Sequence, residues 1–457
     1  MSMNGAADVV TPQAARPSYA LTDAGNAERF AAENQYGVRY VHGWDRWMVY
    51  DGARWAPDDR REVYRRAVTM ARGMLAEAAT LAEPGGLAKH ALATERRDRI
   101  EALLSLARAM PPLAVVPGEL DQDPDLFNLP NGTLDTRTGR LERHDRARLL
   151  TKCAAVPYDP GARAPLWERF LERVLPAQEV RSYTQRAAGY SATGNVSEHA
   201  LFFNYGTGAN GKSTFIETLR DILGEGEYAK AAQPDLLLGK KQERHAVELA
   251  DLRGMRLVST VEAGEGRAWD ESRVKWLTGG DTISARLMYG NPFSFAPTHK
   301  FWIAANHKPR VGGTDLGFWR RVHLIPWEVT IPEQERDHEL RSKLRAEFPG
   351  ILRWIVEGAM QWRRGGGLRP PQAVLAATDD YRSGEDVIAG FLEERCVEER
   401  DARVDGAALF ATYRAWAEAS GERYMPARAF GDALEERGYE RARANGRRWI
   451  VGLKLRE

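Results

Sequence analysis

The run LFFNYGTGANGKST, residues 201–214, constrains this chain more than any other segment. A strand-favouring stretch, Leu201 to Tyr205, leads directly into Gly206-x-x-x-x-Gly211-Lys212-Ser213, and FIETLRDIL continues at helical spacing. Strand, glycine-rich turn and helix in that order form the setting in which such a loop cradles phosphate. Gly206, Gly208 and Gly211 let the backbone curl so that successive N–H groups face the β- and γ-phosphates, and the positive end of the helix adds to that field. The expected nucleotide-binding residues are Gly206, Thr207, Gly208, Ala209, Asn210, Gly211, Lys212, Ser213 and Thr214. Lys212 reaches the β/γ oxygens and the Ser213 hydroxyl ligates Mg²⁺. The motif specifies a nucleoside triphosphate, ATP in the simplest reading, and not a task.

Downstream segments supply the remaining groups that such a site needs. MRLVSTV, residues 255–261, is a β-favouring run that ends at Glu262, where a nucleotide-binding sheet delivers an acid to Mg²⁺ or to the attacking water. FWIAANHKP gives a further buried strand ending at Asn306, whose amide can hold water or the γ-phosphate. Between them, Thr282 to Tyr289 and Pro292 to Ala296 flank Gly290-Asn291 as a hairpin. Arg286, Tyr289 and Lys300 are its candidate contacts to nucleic acid, Tyr289 by stacking. Finally, GFWRRVHLIPW presents Arg320 and Arg321 before a strand-like run. A guanidinium projected into a neighbouring subunit's phosphates would neutralise transition-state charge. Alternating strands and helices over residues 195–330 predict a mostly parallel α/β core.

At 457 residues the chain exceeds one compact core, since domains average about 150 residues. Residues 1–20 lack a basic segment followed by an apolar one and read as a flexible leader, so the expected location is the cytoplasm of a bacterial host. No apolar run approaches the roughly 18 residues of a membrane span. Residues 21–160 read as an α+β domain: a small antiparallel sheet over Val38 to Tyr50, helices over 61–82 and 92–110 separated by Pro84-Gly85-Gly86, then short strands around Asn131-Gly132 and Thr138-Gly139. Asp121, Asp123 and Asp125 tempt a two-metal reading, but Pro124 and the lack of flanking apolar residues favour a solvated loop. Cys153 and Cys396 stand alone and are expected to be small buried hydrophobes.

A helical stretch from 166 to 189 opens the ATPase region, residues 161–364. Residues 333–348 and 350–363 are helical in pattern, GGGLRPP marks a linker over 365–378, and residues 379–457 run helix, helix, hairpin, which suits a winged helix. The balance of 65 basic and 64 acidic side chains means that any nucleic-acid surface is local. The tail provides one, with Arg441, Arg443, Arg447 and Arg448 beside the single acid Glu440.

The ordered set GTGANGKS, the strand ending at Glu262, the GGDTISAR segment, the strand ending at Asn306 and FWRR resembles superfamily 3 helicases. It is most similar to the phage and plasmid primase-helicase family related to poxvirus replication proteins. YALTDAGNAERF, FNLPNGTLDTRTG and YDPGARAPLWERFL look like the region preceding the ATPase in that family, and the tail from Asp379 resembles its C-terminal domain. The resemblance implies an AAA+-like P-loop ATPase core in a hexameric ring, with ATP between subunits and movement along single-stranded and forked DNA. A separate primase is a candidate partner. By matching positions, Lys212 and Ser213 take the phosphate and Mg²⁺ roles, Glu262 the acidic role, Asn306 the sensor role, and Arg321, with Arg320 as second candidate, the finger in trans. Tyr289 and Gly290 stand where papillomavirus-type relatives carry lysine and histidine. No metal-binding carboxylate set of a primase precedes the core. The alternative is a replication initiator or DNA-binding switch that uses ATP only to assemble; a small-molecule kinase is disfavoured by the inserted hairpin and the large flanking domains.

Overall fold

A computed structural model describes residues 18–238, 245–261, 266–287, 290–312, 315–422, 424–444 and 447–456. The described chain divides into two compact units, one running to Asp135 and including Arg140–Tyr158, the other holding Thr136–Gly139 and all that follows Asp159. The expected boundary near residue 160 falls at this division.

The first unit opens with α1 (Asp23–Asn34), whose start is fixed by the Thr22 hydroxyl accepting from the Gly25 N–H. The expected antiparallel sheet is present as β1 (Val38–Val41), β2 (Arg46–Tyr50) and β3 (Trp55–Pro57), and β4 (Ala114–Val115) joins β1 in parallel. Three helices replace the expected two: α2 (Glu62–Ala78), α3 (Gly85–Thr94) and α4 (Arg97–Ala107). Pro84 caps α3 and does not break it, because a missing N–H costs nothing in the first turn of a helix. Val63, Ala67, Met70 and Met74 of α2 pack with Phe30, Val38 and Leu103. The two expected turns follow in the antiparallel meander β5 (Leu126–Leu129), β6 (Gly132–Asp135) and β7 (Arg140–Glu142). Asp121 accepts from the Thr151 N–H and Asp125 is buried. Among the described residues no group of three or more His, Cys, Asp or Glu is placed to hold a metal.

The second unit begins with α5 (Pro165–Val174) and α6 (Gln178–Ala192), split at Leu175-Pro176 where one helix was expected. Its core alternates as predicted: β8 (Leu201–Tyr205), α7 (Lys212–Leu223), β9 (Ala229–Ala231), α8 (His245–Ala250), β10 (Leu257–Val261), α9 (Glu271–Thr278), the hairpin β11 (Ile283–Arg286) and β12 (Pro292–Phe295), β13 (Lys300–Ala305), α10 (Leu316–Trp319) and β14 (Val322–Pro326). The five-stranded sheet has the order β14-β8-β13-β10-β9, and every pairing in it is parallel. Both faces are covered, which is why β8 and β13 are apolar runs without alternation. Phe203, Val258, Ile303 and Leu324 pack with Trp269, Phe318 and Tyr381 on one side. Phe202, Trp302, Phe215, Trp327 and Trp167 form an aromatic stack on the other.

Beyond the sheet run α11 (Leu340–Arg345), α12 (Phe348–Gly365) and α13 (Gln372–Gly384). The segment expected to be a linker, 365–378, is part of the packed core. Leu368 and Val374 are each 1% exposed, and the Thr378 hydroxyl accepts from the Leu324 N–H of β14. The glycines of GGGLRPP end α12 in left-handed conformations and do not form a hinge. The last elements are α14 (Val387–Arg395), β15 (Cys396–Asp405), α15 (Gly406–Ala419), α16 (Ala427–Glu436), β16 (Arg441–Ala444) and β17 (Arg447–Leu455), with an antiparallel sheet ordered β15-β17-β16. Phe391, Leu409, Tyr413, Phe430 and Leu453 form their shared core. Cys396 is buried as expected, while Cys153 is only partly so.

Helices α6 and α12 cross backbone to backbone. A Cβ on Gly189 would lie 1.9 Å from the Ala359 nitrogen, and one on Gly358 would lie 2.1 Å from the Gln185 carbonyl oxygen. Gly189→Ala is therefore expected to lower unfolding free energy by at least about 1–3 kcal/mol. Gly384→Ala, where an added Cβ meets nothing within 4 Å, is expected to leave it nearly unchanged. Urea denaturation of the two variants checks the contrast.

Candidate functional site

Strand β8 lies between β13 and β14, so the loop leaving its carboxyl end emerges where parallel α/β sheets bind ligands. The loop turns through left-handed conformations at Gly208 (φ 106°), Ala209 (φ 47°) and Gly211 (φ 85°). Two of its glycines answer to close approach. A Cβ on Gly206 would lie 2.2 Å from the Trp327 carbonyl oxygen, and one on Gly211 would lie 2.8 Å from the Phe170 ring. The segment after β14 holds the loop in shape: Trp327 N–H donates to Tyr205 O at 2.8 Å, Ile331 N–H to Ala209 O at 2.8 Å, and the Asn210 amide to Trp327 O at 3.3 Å.

Lys212, the first residue of α7, is 4% exposed. Its ammonium donates to Gly206 O at 2.7 Å, Asn210 Oδ1 at 2.9 Å and Asn306 Oδ1 at 3.1 Å. Burial lowers its pKa to about 8. Asn306 follows the last residue of β13, and β10 ends at Val261, in register with Ala304. A cavity of about 240 Å³ opens between Gly208–Thr214 and Asn306. Ser213 is exposed at its mouth. A buried ammonium, the amino end of a 12-residue helix and curled backbone converging on one cavity make a cradle for a polyanion.

The structure therefore brings together the loop residues Gly206 to Thr214 and Asn306. Glu262 and Tyr289 lie outside the described residues. Arg286 is exposed on β11, its guanidinium donating to Gly290 O at 2.9 Å.

Lys300 corrects the sequence reading. It is 1% exposed, and its ammonium donates to the carbonyls of Thr193, Asn195 and Thr298. The reason is the carboxyl end of α6, whose last carbonyls lack helical partners and attract positive charge. Arg256 serves Ala192 there in the same way, at 2.6 Å. Lys300 is thus enclosed in protein and does not present its charge to a passing strand.

Arg320 and Arg321 differ in orientation. Arg321 is 8% exposed, with its guanidinium turned back onto the Gly317 carbonyl, whereas Arg320 is exposed. Both precede β14, whose first residue Val322 pairs with Leu201 at the start of β8. The loop is at the other end of β8, about 17 Å away at 3.3 Å per residue. Neither side chain lies at its own chain's cradle.

Along the tail, Arg441 is paired with Asp432 at 2.7 Å and with Glu435 at 3.1 Å. Arg443 and Arg448 are exposed and face each other directly across β16 and β17, with exposed Arg447 beside them. Like charges opposed on a sheet are destabilising, so this edge is built for an anionic partner. Local spacing carries no signal for the Trp327 support or for the Phe170 contact, because both come from distant parts of the chain.

A parallel sheet with a polyanion cradle at the carboxyl end of its central strand defines a mixed α/β protein of the nucleotide-cradle kind. Residues 27–176 match the family described as D5 N terminal like, residues 204–321 a family of unknown function, DUF5906, and residues 383–449 the family described as poxvirus D5 protein-like. A protein of Acanthamoeba polyphaga mimivirus named as a candidate helicase is 27% identical over 301 residues, which cover 61% of this chain and 31% of the relative. One of Frog virus 3, also named as a candidate helicase, is 25% identical over 272 residues (55% and 28%). One of African swine fever virus, named as a candidate primase, is 22% identical over 304 residues (61% and 31%). The chain thus spans about a third of the length of the curated relatives it matches. Among solved structures, the apo NrS-1 C terminal region is similar with a TM-score of 0.47 and 10% identity, over 93% of this chain and 98% of that one. The domain matches and the viral relatives place the chain in a D5-like primase-helicase family.

The lowered pKa of Lys212 gives a pH signature. A polyanion bound beside the ammonium stabilises its charged form, so affinity for inorganic triphosphate is expected to be level below about pH 8. Above that it falls by up to roughly tenfold per pH unit. Calorimetric titration from about pH 7 to 9 checks this, and Lys212→Arg, charged throughout the range, is expected to remove the inflection.

Proposed function

We propose that this chain is an ATP-driven DNA helicase of the superfamily 3 kind, acting as a ring on single-stranded and forked DNA during replication. The observation that carries the reading is the convergence of Lys212, the glycine-rich backbone and Asn306 on one cavity. Relatives named helicase or primase from large DNA viruses support it. In this reading Lys212 binds the β- and γ-phosphates of ATP and Asn306 positions the attacking water. The exposed Ser213 hydroxyl suits Mg²⁺, which keeps most of its waters and takes few protein ligands. Glu262 is its proposed acidic companion. Bound Mg²⁺ supplies charge neutralisation on the phosphate oxygens.

The finger in trans is assigned to Arg320. It is exposed and stands at the far end of the sheet from its own cradle, so only another subunit's phosphates are within its reach. That assignment gives ring assembly a chemical purpose. Helix, strand, helix, helix and hairpin after residue 386 have the order of a winged helix, with Arg443, Arg447 and Arg448 on its wing. These arginines are the proposed contacts to DNA phosphate.

Steady-state ATP hydrolysis with and without single-stranded DNA, alongside mass in solution with ATP and Mg²⁺, tests the reading. DNA-stimulated turnover by an assembly near six subunits supports it; a monomer whose turnover ignores DNA overturns it, and one ATP consumed per assembly favours the initiator. Lys212→Ala is expected to abolish turnover with loss of ATP binding. Arg320→Ala is expected to cut turnover by about 10³-fold or more with ATP affinity nearly intact, while Arg321→Ala acts mainly by loosening the turn before β14. Replacing Arg447 and Arg448 with alanine is expected to weaken DNA binding and lower its salt slope by roughly one to two, which fluorescence anisotropy at several salt concentrations measures.

A further inference from the structure

Next to the phosphate cradle, at the same end of the sheet, lies a second cavity of about 290 Å³ that the reading above does not use. Its walls include Leu175, Pro326, Ala376 and Ala377, and Glu328 and Asp380 also line it. Three tethers fix it beside the glycine-rich loop. Pro326 pairs with Tyr205, the residue before Gly206. Trp327, between Pro326 and Glu328, bonds to Tyr205 and Asn210. Val174, next to Leu175, has a side-chain carbon 3.0 Å from where a Cβ of Gly211 would stand. The slot therefore begins one strand over from the cradle, a step of about 4.8 Å, which a ribose spans.

Its chemistry differs from that of the cradle. The walls are proline, alanine and leucine, flat and apolar, and the volume is near the lower end of the roughly 300–1,000 Å³ of ligand pockets, suited to one heterocycle. Glu328 and Asp380 are exposed, and among the described residues neither makes an ion pair. Carboxylates repel phosphate, so next to a polyanion cradle they suit the uncharged, N–H-bearing end of the same ligand. The geometry points to a base subsite: we propose that this slot takes the adenine ring of the nucleotide, its 6-amino group donating to Glu328 or Asp380. A base with a 6-keto group would turn an acceptor toward those carboxylates and bind less well. The inference rests on the phosphate-cradle reading.

The test is calorimetric binding of ATP, ITP and inorganic triphosphate to the full chain, as wild type, Ala377→Phe and the double variant Glu328→Gln/Asp380→Asn. Wild type is expected to bind ATP at least tenfold more tightly than ITP. Ala377→Phe, which fills the slot, is expected to weaken ATP at least tenfold and leave triphosphate unchanged, so that triphosphate binding also reports an intact fold. The double variant, whose amides can donate to a keto group, is expected to erase the ATP-over-ITP preference without any demand on core packing. Wild-type binding of triphosphate with equal affinity for ATP and ITP, or unchanged ATP preference in the double variant, overturns the base subsite and spares the cradle. Failure of the wild type to bind triphosphate at all overturns both.

Discussion

The site depends on Trp327. Its indole N–H donates to Asn204 Oδ1 inside the sheet at 2.9 Å, its backbone N–H donates to Tyr205 O, and its carbonyl accepts from Asn210 while closing the space above Gly206. One residue thus joins the edge strand, the central strand and the loop. Asn204 is fully buried, and its own amide is satisfied by the Phe202 and Ile303 carbonyls. Leaving such a group without a partner costs about 1–3 kcal/mol. The loop can hold a left-handed alanine and two left-handed glycines because this network leaves the backbone no cheaper alternative.

Charge is organised locally. The chain as a whole is almost neutral, yet three kinds of cation are set apart by what surrounds them. Lys300 and Arg256 are absorbed by the carboxyl end of α6. Lys212 is buried among neutral oxygens, which lowers its pKa and leaves its charge directed at the cavity. Arg443 and Arg448 oppose each other in the open. Only the last two arrangements are improved by an incoming anion.

The cradle was legible in the sequence because its groups are contiguous: residues 206–214 carry the turn, the donors and the lysine in one run. Asn306 was legible because an apolar strand ends there. The structure departs from the sequence reading where a residue answers to a distant element. Lys300 looked like hairpin charge until the end of α6 claimed it, and the guanidinium of Arg321 is taken by the short helix before it. The expected linker folds against β14 because Leu368 and Val374 supply apolar contacts that the glycines and prolines around them masked. Helix α14 and strand β15 escaped notice because β15, CVEERDARVD, is charged along most of its length and shows no alternation. The crossing at Gly189 and Gly358 has no local signature at all, since each glycine answers to the other helix's backbone.

The strand order has a consequence for how the chain acquires its shape. Leu201 pairs with Phe301 on one side and with Val322 on the other. During synthesis at about 5–20 residues per second, β8 waits roughly 5–20 s for its first neighbour and longer for its second. Throughout that interval LFFNY is a finished hydrophobic strand with two open edges, and contacts of such large sequence separation form slowly. The segment that later carries the most ordered chemistry is therefore the one most exposed to mispairing at birth, and its passage through that window falls to the ribosome and to chaperones that shield nascent apolar strands.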